Sequence, residues 1–192
     1  MARLRPARTC RLPNSQAWAR YSQRKPRKNY IRALPHTSIQ VFNMGKDNPS
    51  FDYTVTLNTE YRIQLRSNAL EAARVLATKH LEGSIPGAYY ARLLVYPHNV
   101  IREHKMASGA GADRISRGMS EAYGRPISVA ARLQSGQPLF MIKVAKENKA
   151  VAREALDRAR AKLSGSYKLR EPETEPEPLP KTKPKPELKR TA

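Results

Sequence analysis

One cysteine, Cys10, occurs in the 192 residues. That excludes an internal disulfide and any zinc site built from several cysteines. Bulky aromatics are scarce, with three Phe and one Trp, so a core must rest on Leu, Ile, Val, Ala and Tyr. No apolar run approaches the roughly 18 residues that a membrane span needs. The basic N-terminus is not followed by the apolar stretch of a secretory signal. Acidic residues are missing from the first 46 positions; Asp47 is the first. The Gly-Lys-Ser/Thr ending of a Walker phosphate loop is absent as well.

What the sequence has is positive charge. Lys and Arg number 36 against 16 Asp and Glu, a net charge of +20. Such an excess points to a polyanionic partner, most often nucleic acid. It is unevenly spread. Residues 1–36 carry Pro6, Pro13, Pro26 and Pro35 with basic residues throughout and show neither a helical nor a strand period. We read them as a basic RNA-binding arm that orders against a negatively charged partner. Its candidate phosphate contacts are Arg3, Arg5, Arg8, Arg11, Arg20, Arg24, Lys25, Arg27 and Lys28. Trp18, Tyr21 and Tyr30 are placed to stack on bases. A mitochondrial targeting leader is the rival reading, opposed by the four prolines, which do not suit an amphipathic helix. At the other end, residues 171–192 hold six prolines and equal numbers of acids and bases. This tail favours extended polyproline conformation and reads as a disordered extension.

Between them, residues 37–170 carry the patterns of an α+β core. Ser38 to Met44 is β-rich and closed by Gly45. Asp52 to Thr59 alternates, with Tyr53, Val55 and Leu57 on one face and Thr54 and Thr56 on the other. Asn68 with Glu71 forms a capping-box pattern before a helix bearing Leu70, Ala73, Arg74, Ala77 and Leu81 at helical spacing, with Gly83 as its stop. Tyr89 to Tyr96 reads as a central strand with both faces apolar, and Asn99 to His104 as a short one. Ile127–Leu133 and Pro138–Val144 are predicted strands joined by a turn at Ser135–Gly136. A second helix runs from about Asn148 to Leu163 with a stripe of Ala150, Val151, Ala155, Leu156, Ala159 and Leu163; Glu154 and Arg158 are an i,i+4 pair on it. Ser166 to Leu169 adds an edge strand. Short turns between the late strands imply an antiparallel or mixed sheet with both helices on one side.

The candidate chemistry clusters in the small-residue loop 105–119. Gly109-Ala-Gly111-Ala-Asp113-Arg114 invites comparison with a dinucleotide fingerprint, but Arg114 stands where a third glycine belongs. With Lys105, Ser108, Arg114 and Arg117 around a bare backbone, the loop is suited to approach a phosphate chain closely. Met106 and Met119 bracket it as anchors. His98 and His104 lack the spacing or further ligands of a metal site, and nothing places His104, Asp113 and Ser108 together as a catalytic set; their expected role is RNA contact or that of ordinary surface histidines. Arg92, Arg102, Arg125 and Arg132 lie on or beside strands as further phosphate contacts. Cys10 reads as incidental.

These residues resemble a known family. Leu4-Arg-Pro-Ala-Arg8, Ile39-Gln-Val-Phe-Asn-Met-Gly45, Asn68-Ala-Leu-Glu-Ala-Ala-Arg74, Tyr96-Pro-His-Asn-Val-Ile-Arg102, and above all Lys105 through Met119 are similar to the archaeal and eukaryotic large-subunit ribosomal protein ten, the counterpart of bacterial large-subunit protein sixteen. Gly124-Arg-Pro126 and Ala130-Ala-Arg132 continue the likeness, which covers roughly residues 3–170. It implies a fold of the α/β-hammerhead type and a cytoplasmic ribosome as the setting. It further implies binding to large-subunit rRNA near the aminoacyl-tRNA site, neighbouring ribosomal proteins as partners, and neither enzymatic activity nor a cofactor or metal. By position, the family's tRNA-site loop corresponds to Lys105–Met119 and its basic arm to Arg3, Arg5, Arg8 and Arg11. Residues 12–34 depart from the tyrosine-rich leader of relatives, and the tail has no counterpart. The alternatives are an RNA-acting enzyme using the glycine-rich loop for a nucleotide, and a non-ribosomal basic nucleic-acid-binding protein.

Overall fold

Alternation between Val55 and Leu57, both fully buried, and the half-exposed Thr54 and Thr56 makes one face of a strand apolar and the other polar. That strand, β2 (Tyr53–Thr59), sits inside a five-stranded sheet. The computed structural model describes residues 5–12, 34–104, 109–111 and 124–171. Among them β1 (Asn43–Gly45) comes first, then β2, β3 (Ile63–Arg66), α1 (Ser67–Ser84), β4 (Tyr89–Leu93) and β5 (Asn99–Glu103). After these come β6 (Arg125–Leu133), β7 (Pro138–Val144), α2 (Lys149–Arg160) and β8 (Tyr167–Arg170). Single 3-10 turns occupy Ala7–Thr9 and Lys146–Asn148.

The strands form two sheets, ordered β1-β4-β7-β2-β8 and β3-β6-β5, and every pairing is antiparallel. α1 and α2 pack on each other; α1 also meets β3, β4 and β6, and α2 meets β2, β7 and β8. One core joins both sheets and both helices. α1 contributes Leu70, Ala73, Ala77 and Leu81, and α2 contributes Ala152, Ala155, Leu156 and Ala159. Full burial of each leucine is worth about 1.5–3 kcal/mol, and the alanines let the helices approach closely. The architecture is α+β, as the sequence pattern implies.

The chain passes between the sheets four times, and two of these crossings lie side by side. β2 leads into β3, and β6 leads into β7 through Gln134–Gln137. The two crossings are tied together. Thr59 donates its N–H to the Gln137 carbonyl (3.1 Å) and its hydroxyl to that of Gln134 (2.6 Å), while Gly136 N–H reaches the Thr59 carbonyl (2.7 Å). Asn58 Nδ2 donates to the Gly136 carbonyl at 3.0 Å, and Ser135 Oγ to that of Glu60 at 2.6 Å.

Several expectations need correction. The turn at Ser135–Gly136 exists, but it joins strands of different sheets rather than a hairpin, because β6 pairs with β3 and β5 while β7 pairs with β2 and β4. β3 carries no strand signal of its own: Ile63, Gln64 and Leu65 are all buried, so its side chains do not alternate. Of Ser38–Met44 only the end pairs, as β1; Ile39 enters the core from irregular chain. β4 is an interior strand, yet only Tyr89, Ala91 and Leu93 are buried and Arg92 faces outward. α1 starts at Ser67 with no side-chain cap. Glu71 pairs with Arg74 at 2.6 Å rather than closing a capping box. α1 runs past Gly83 to Ser84. On α2, Ala150 is exposed and Ala152 takes its place in the core.

One glycine is dictated by its surroundings. Gly45 has φ +76, and a Cβ there would lie 2.1 Å from the Tyr89 carbonyl oxygen. Gly83, inside α1, has nothing within 4 Å of that position. Gly45→Ala is therefore expected to destabilise by about 2 kcal/mol or more through strain and overlap. Gly83→Ala is expected to stabilise by up to about 1 kcal/mol through helix propensity and unfolded-chain entropy. Urea unfolding of both variants checks the opposite signs; equal effects would contradict the β1–β4 geometry.

Candidate nucleic-acid interface

Counting where the acids go explains where the free cations are. Asp47 pairs with Lys143 (3.1 Å), Glu60 with Lys168 (3.1 Å), Glu71 with Arg74 (2.6 Å) and Glu103 with Arg5 (2.9 Å). On α2, Glu154 meets Arg158 at 2.6 Å and Asp157 meets Arg160 at 3.2 Å. The exposed pairs among these add little stability, about 0–1 kcal/mol each. Their effect is to neutralise most of the acids among the described residues locally. Among the described residues, Arg8, Arg11, Arg62, Arg92 and Arg125 have no carboxylate partner.

The strands decide how these cations are presented. Arg92 lies between buried Ala91 and Leu93 on β4 and faces outward. Arg125 and Arg132 are the exposed arginines of β6. Arg125 stands opposite Glu103 in the β5–β6 register, but that carboxylate is bonded to Arg5. Partial burial, helped by repulsion from Arg62, lowers the pKa of Arg132 from its ordinary value. Arg102 and His104 are half-buried at the end of β5.

Residues Arg5–Leu12 lie against the chain's own three-stranded sheet. The Arg11 carbonyl accepts the Gln64 N–H (2.7 Å), extending the free edge of β3. Cys10 is buried, with Arg66 Nε donating to its Sγ at 3.0 Å; it is a packed anchor of the arm rather than an incidental residue. Arg5 is held by Glu103 and by the His104 carbonyl, whereas Arg8 and Arg11 are exposed.

His98 is exposed and packs its ring against Tyr96 (centroids 4.6 Å), which in turn stacks on Phe42 (5.4 Å). This ladder of rings was not legible from sequence, because Phe42 and Tyr96 are distant in the chain and neither sits in a basic run. Of the loop, Gly109 and Gly111 are described; both are exposed, with positive φ. Arg3, Arg20, Arg24, Lys25, Arg27, Lys28, Lys105, Ser108, Asp113, Arg114 and Arg117 lie outside the described residues, as do Trp18, Tyr21, Tyr30, Met106, Met119 and the tail from 172. Among the described residues no three His, Cys, Asp or Glu side chains gather to hold a metal, and no helix is long and apolar enough to cross a membrane.

Residues 18–170 match the family model described as ribosomal protein L16p/L10e. The chain belongs to this family. Among its relatives are proteins called large ribosomal subunit protein uL16. The one from Archaeoglobus fulgidus is 41% identical over 150 residues, covering 78% of this chain and 86% of the relative. That from Hyperthermus butylicus is 46% identical over 138 residues, covering 71% and 77%. That from Sulfolobus acidocaldarius is 42% identical over 163 residues, covering 83% and 89%. The chain is thus a ribosomal protein of the large-subunit type with archaeal relatives, not an enzyme. The nucleotide-using and non-ribosomal alternatives are set aside.

At the far end of this ribosomal body, Glu171 is clamped to α2 by Lys149 (2.9 Å) and Arg153. Hydrogen bonds from Lys149 and then Arg153 push its carboxyl down from 4.5 to about 2. A depressed carboxyl stabilises the fold above its unfolded pKa, and that contribution vanishes as pH falls toward 2. Carboxyl NMR is expected to give a Glu171 midpoint near 2 that moves up toward 4.5 in Lys149→Gln/Arg153→Gln. A wild-type midpoint near 4.5 would show that the clamp does not hold in solution.

Proposed function

We propose that this chain is a structural constituent of the large ribosomal subunit that binds large-subunit rRNA near the aminoacyl-tRNA site and helps to position tRNA. The observation that carries the reading is the charge pattern: a net charge of +20, with most acids among the described residues paired to lysines or arginines and Arg92 and Arg125 facing out. Each guanidinium or ammonium that meets a phosphate releases condensed counterions, so binding draws on entropy and falls steeply with salt. Shape and 2′-hydroxyls suffice for recognition of folded RNA, with no base code required.

In this reading the chain divides into a basic arm (1–36), a folded core (37–170) and a tail (171–192). The arm follows RNA with Arg3, Arg8, Arg11, Arg20, Arg24, Lys25, Arg27 and Lys28, while Arg5 ties it to β5. Arg92, Arg102, Arg125, Arg132, His98 and His104 contact the RNA from the core. The loop 105–119 reaches toward tRNA with Lys105, Ser108, Gly109, Gly111, Asp113, Arg114 and Arg117. Bare glycine backbone permits close approach and leaves N–H groups free to donate.

Sedimentation of a cell lysate tests the placement. The protein is expected to travel with the large subunit at physiological salt, and a free species would refute it. Deletion of residues 107–117 is expected to leave the core folded, with unchanged thermal unfolding, while subunits assembled with the shortened protein bind aminoacyl-site tRNA less well. Unaltered tRNA binding would remove the loop from the mechanism.

A further inference from the structure

The start of α1 is electrostatically out of balance. A helix N-terminus carries about half a positive charge and N–H groups with no intrahelical acceptor. Here no side chain caps it, its first turn has no acid, and the cap position is itself a cation, Arg66. Asn68, which the sequence pattern offers as the cap, is exposed in the first turn. The turn borders a cavity of about 340 Å3 whose walls also include Arg5, Lys162, Cys10 and Gln64, with no acidic residue among them. Glu103 offsets Arg5, leaving Arg66, Lys162 and the helix end with uncompensated positive charge.

Gln64 supplies an independent sign of a ligand. It is 2% exposed and lines the cavity. Its Nε2 donates to the Cys10 carbonyl at 3.1 Å, but its Oε1 accepts no hydrogen bond among the described residues. Buried acceptors left in this state are uncommon. The cavity thus combines donors suited to an anion with one acceptor that lacks a hydroxyl or N–H. An RNA backbone unit offers both halves: phosphate oxygens for Arg66, Lys162 and the first N–H groups of α1, and a ribose 2′-hydroxyl for Gln64.

We propose that this cavity is a binding site for one phosphate–ribose unit of an RNA chain. The proposal rests on the reading of the protein as an rRNA binder and adds a specific site to it. Lys162 is the clean probe, because its side chain makes no hydrogen bond or ion pair among the described residues, whereas Arg66 also holds Cys10 and the Arg5 carbonyl.

The full chain is titrated with hexauridylate, the matching deoxy-oligomer and inorganic phosphate while amide signals are followed by NMR. Saturable shifts are expected at the backbone amides of Asn68 and Ala69 and the side-chain amide of Gln64. They should be about tenfold weaker in affinity for the deoxy-oligomer and for phosphate. Lys162→Gln is expected to weaken the ribo-oligomer about fivefold, with Lys162→Arg restoring it. Shifts confined to other amides, or equal affinity for all three probes, overturn the assignment. Binding to transcribed large-subunit rRNA separates this failure from that of the wider reading. If the wild type shows a steep salt slope, Lys162→Gln should reduce it by about one; an unchanged slope removes the site and leaves the function standing. A wild type without salt-sensitive rRNA binding removes both.

Discussion

The clasp between Asn58–Glu60 and Gln134–Gln137 is the constraint on which the rest depends. A strand leaving its sheet strands its last backbone N–H and C=O groups, and burial makes that costly. Here two strands leave together, in opposite directions, and each satisfies the other's orphans, with Thr59 at 2% exposure and Asn58 at 7%. The arrangement holds the two sheets in one relative position. α1 then packs across both, and the outward arginines of β4 and β6 become features of one rigid surface. Preorganisation of this kind matters for a protein whose partner is a polyanion, since long cationic side chains lose much freedom when they engage phosphates.

Charge is arranged on the same principle. Carboxylates close to lysines or arginines are paired within the chain, as at Glu71–Arg74 and Glu103–Arg5. Each pair contributes little to stability, but in each the acid's charge is matched by a neighbouring lysine or arginine. The described part of the arm uses both devices. Cys10 and Gln64 bury its middle, Glu103 tethers its start, and Arg8 and Arg11 remain outward. The described part of this basic segment is held by contacts to its own domain.

Much of this was legible in advance. The sequence pattern gives β7 its observed ends, Pro138 and Val144, because a β-rich apolar run bounded by Pro138 and a Gly136 turn has few other solutions. α1 was found from its apolar spacing, and β8 from its edge position after Gly165. The family was visible in the ungapped pattern around residues 105–119. The failures share a cause. β3 lacks alternation because both its faces are covered, one by the core and the other by the arm, and the covering segment is more than fifty positions away. The capping box at Asn68 and Glu71 was locally reasonable, but Arg74 competes for Glu71 at i,i+3 spacing with a geometry that places two guanidinium nitrogens on one carboxylate. The ring ladder of Phe42, Tyr96 and His98 assembles from two distant segments with no shared local signal.

Composition and periodicity by themselves determined the class of partner, the α+β content, the approximate ends of most strands and the basic character of the leader. These are properties of side chains taken in order, and burial or charge repulsion acts on them wherever they stand. Only the tertiary structure decided that β6 and β7 belong to different sheets, that Cys10 anchors the arm and that Arg5 is matched while Arg8 is not. It also left the start of α1 uncapped beside a cavity. Each of those outcomes depends on which distant groups meet, and hydrogen-bond satisfaction between such groups is not encoded in any local stretch of the chain.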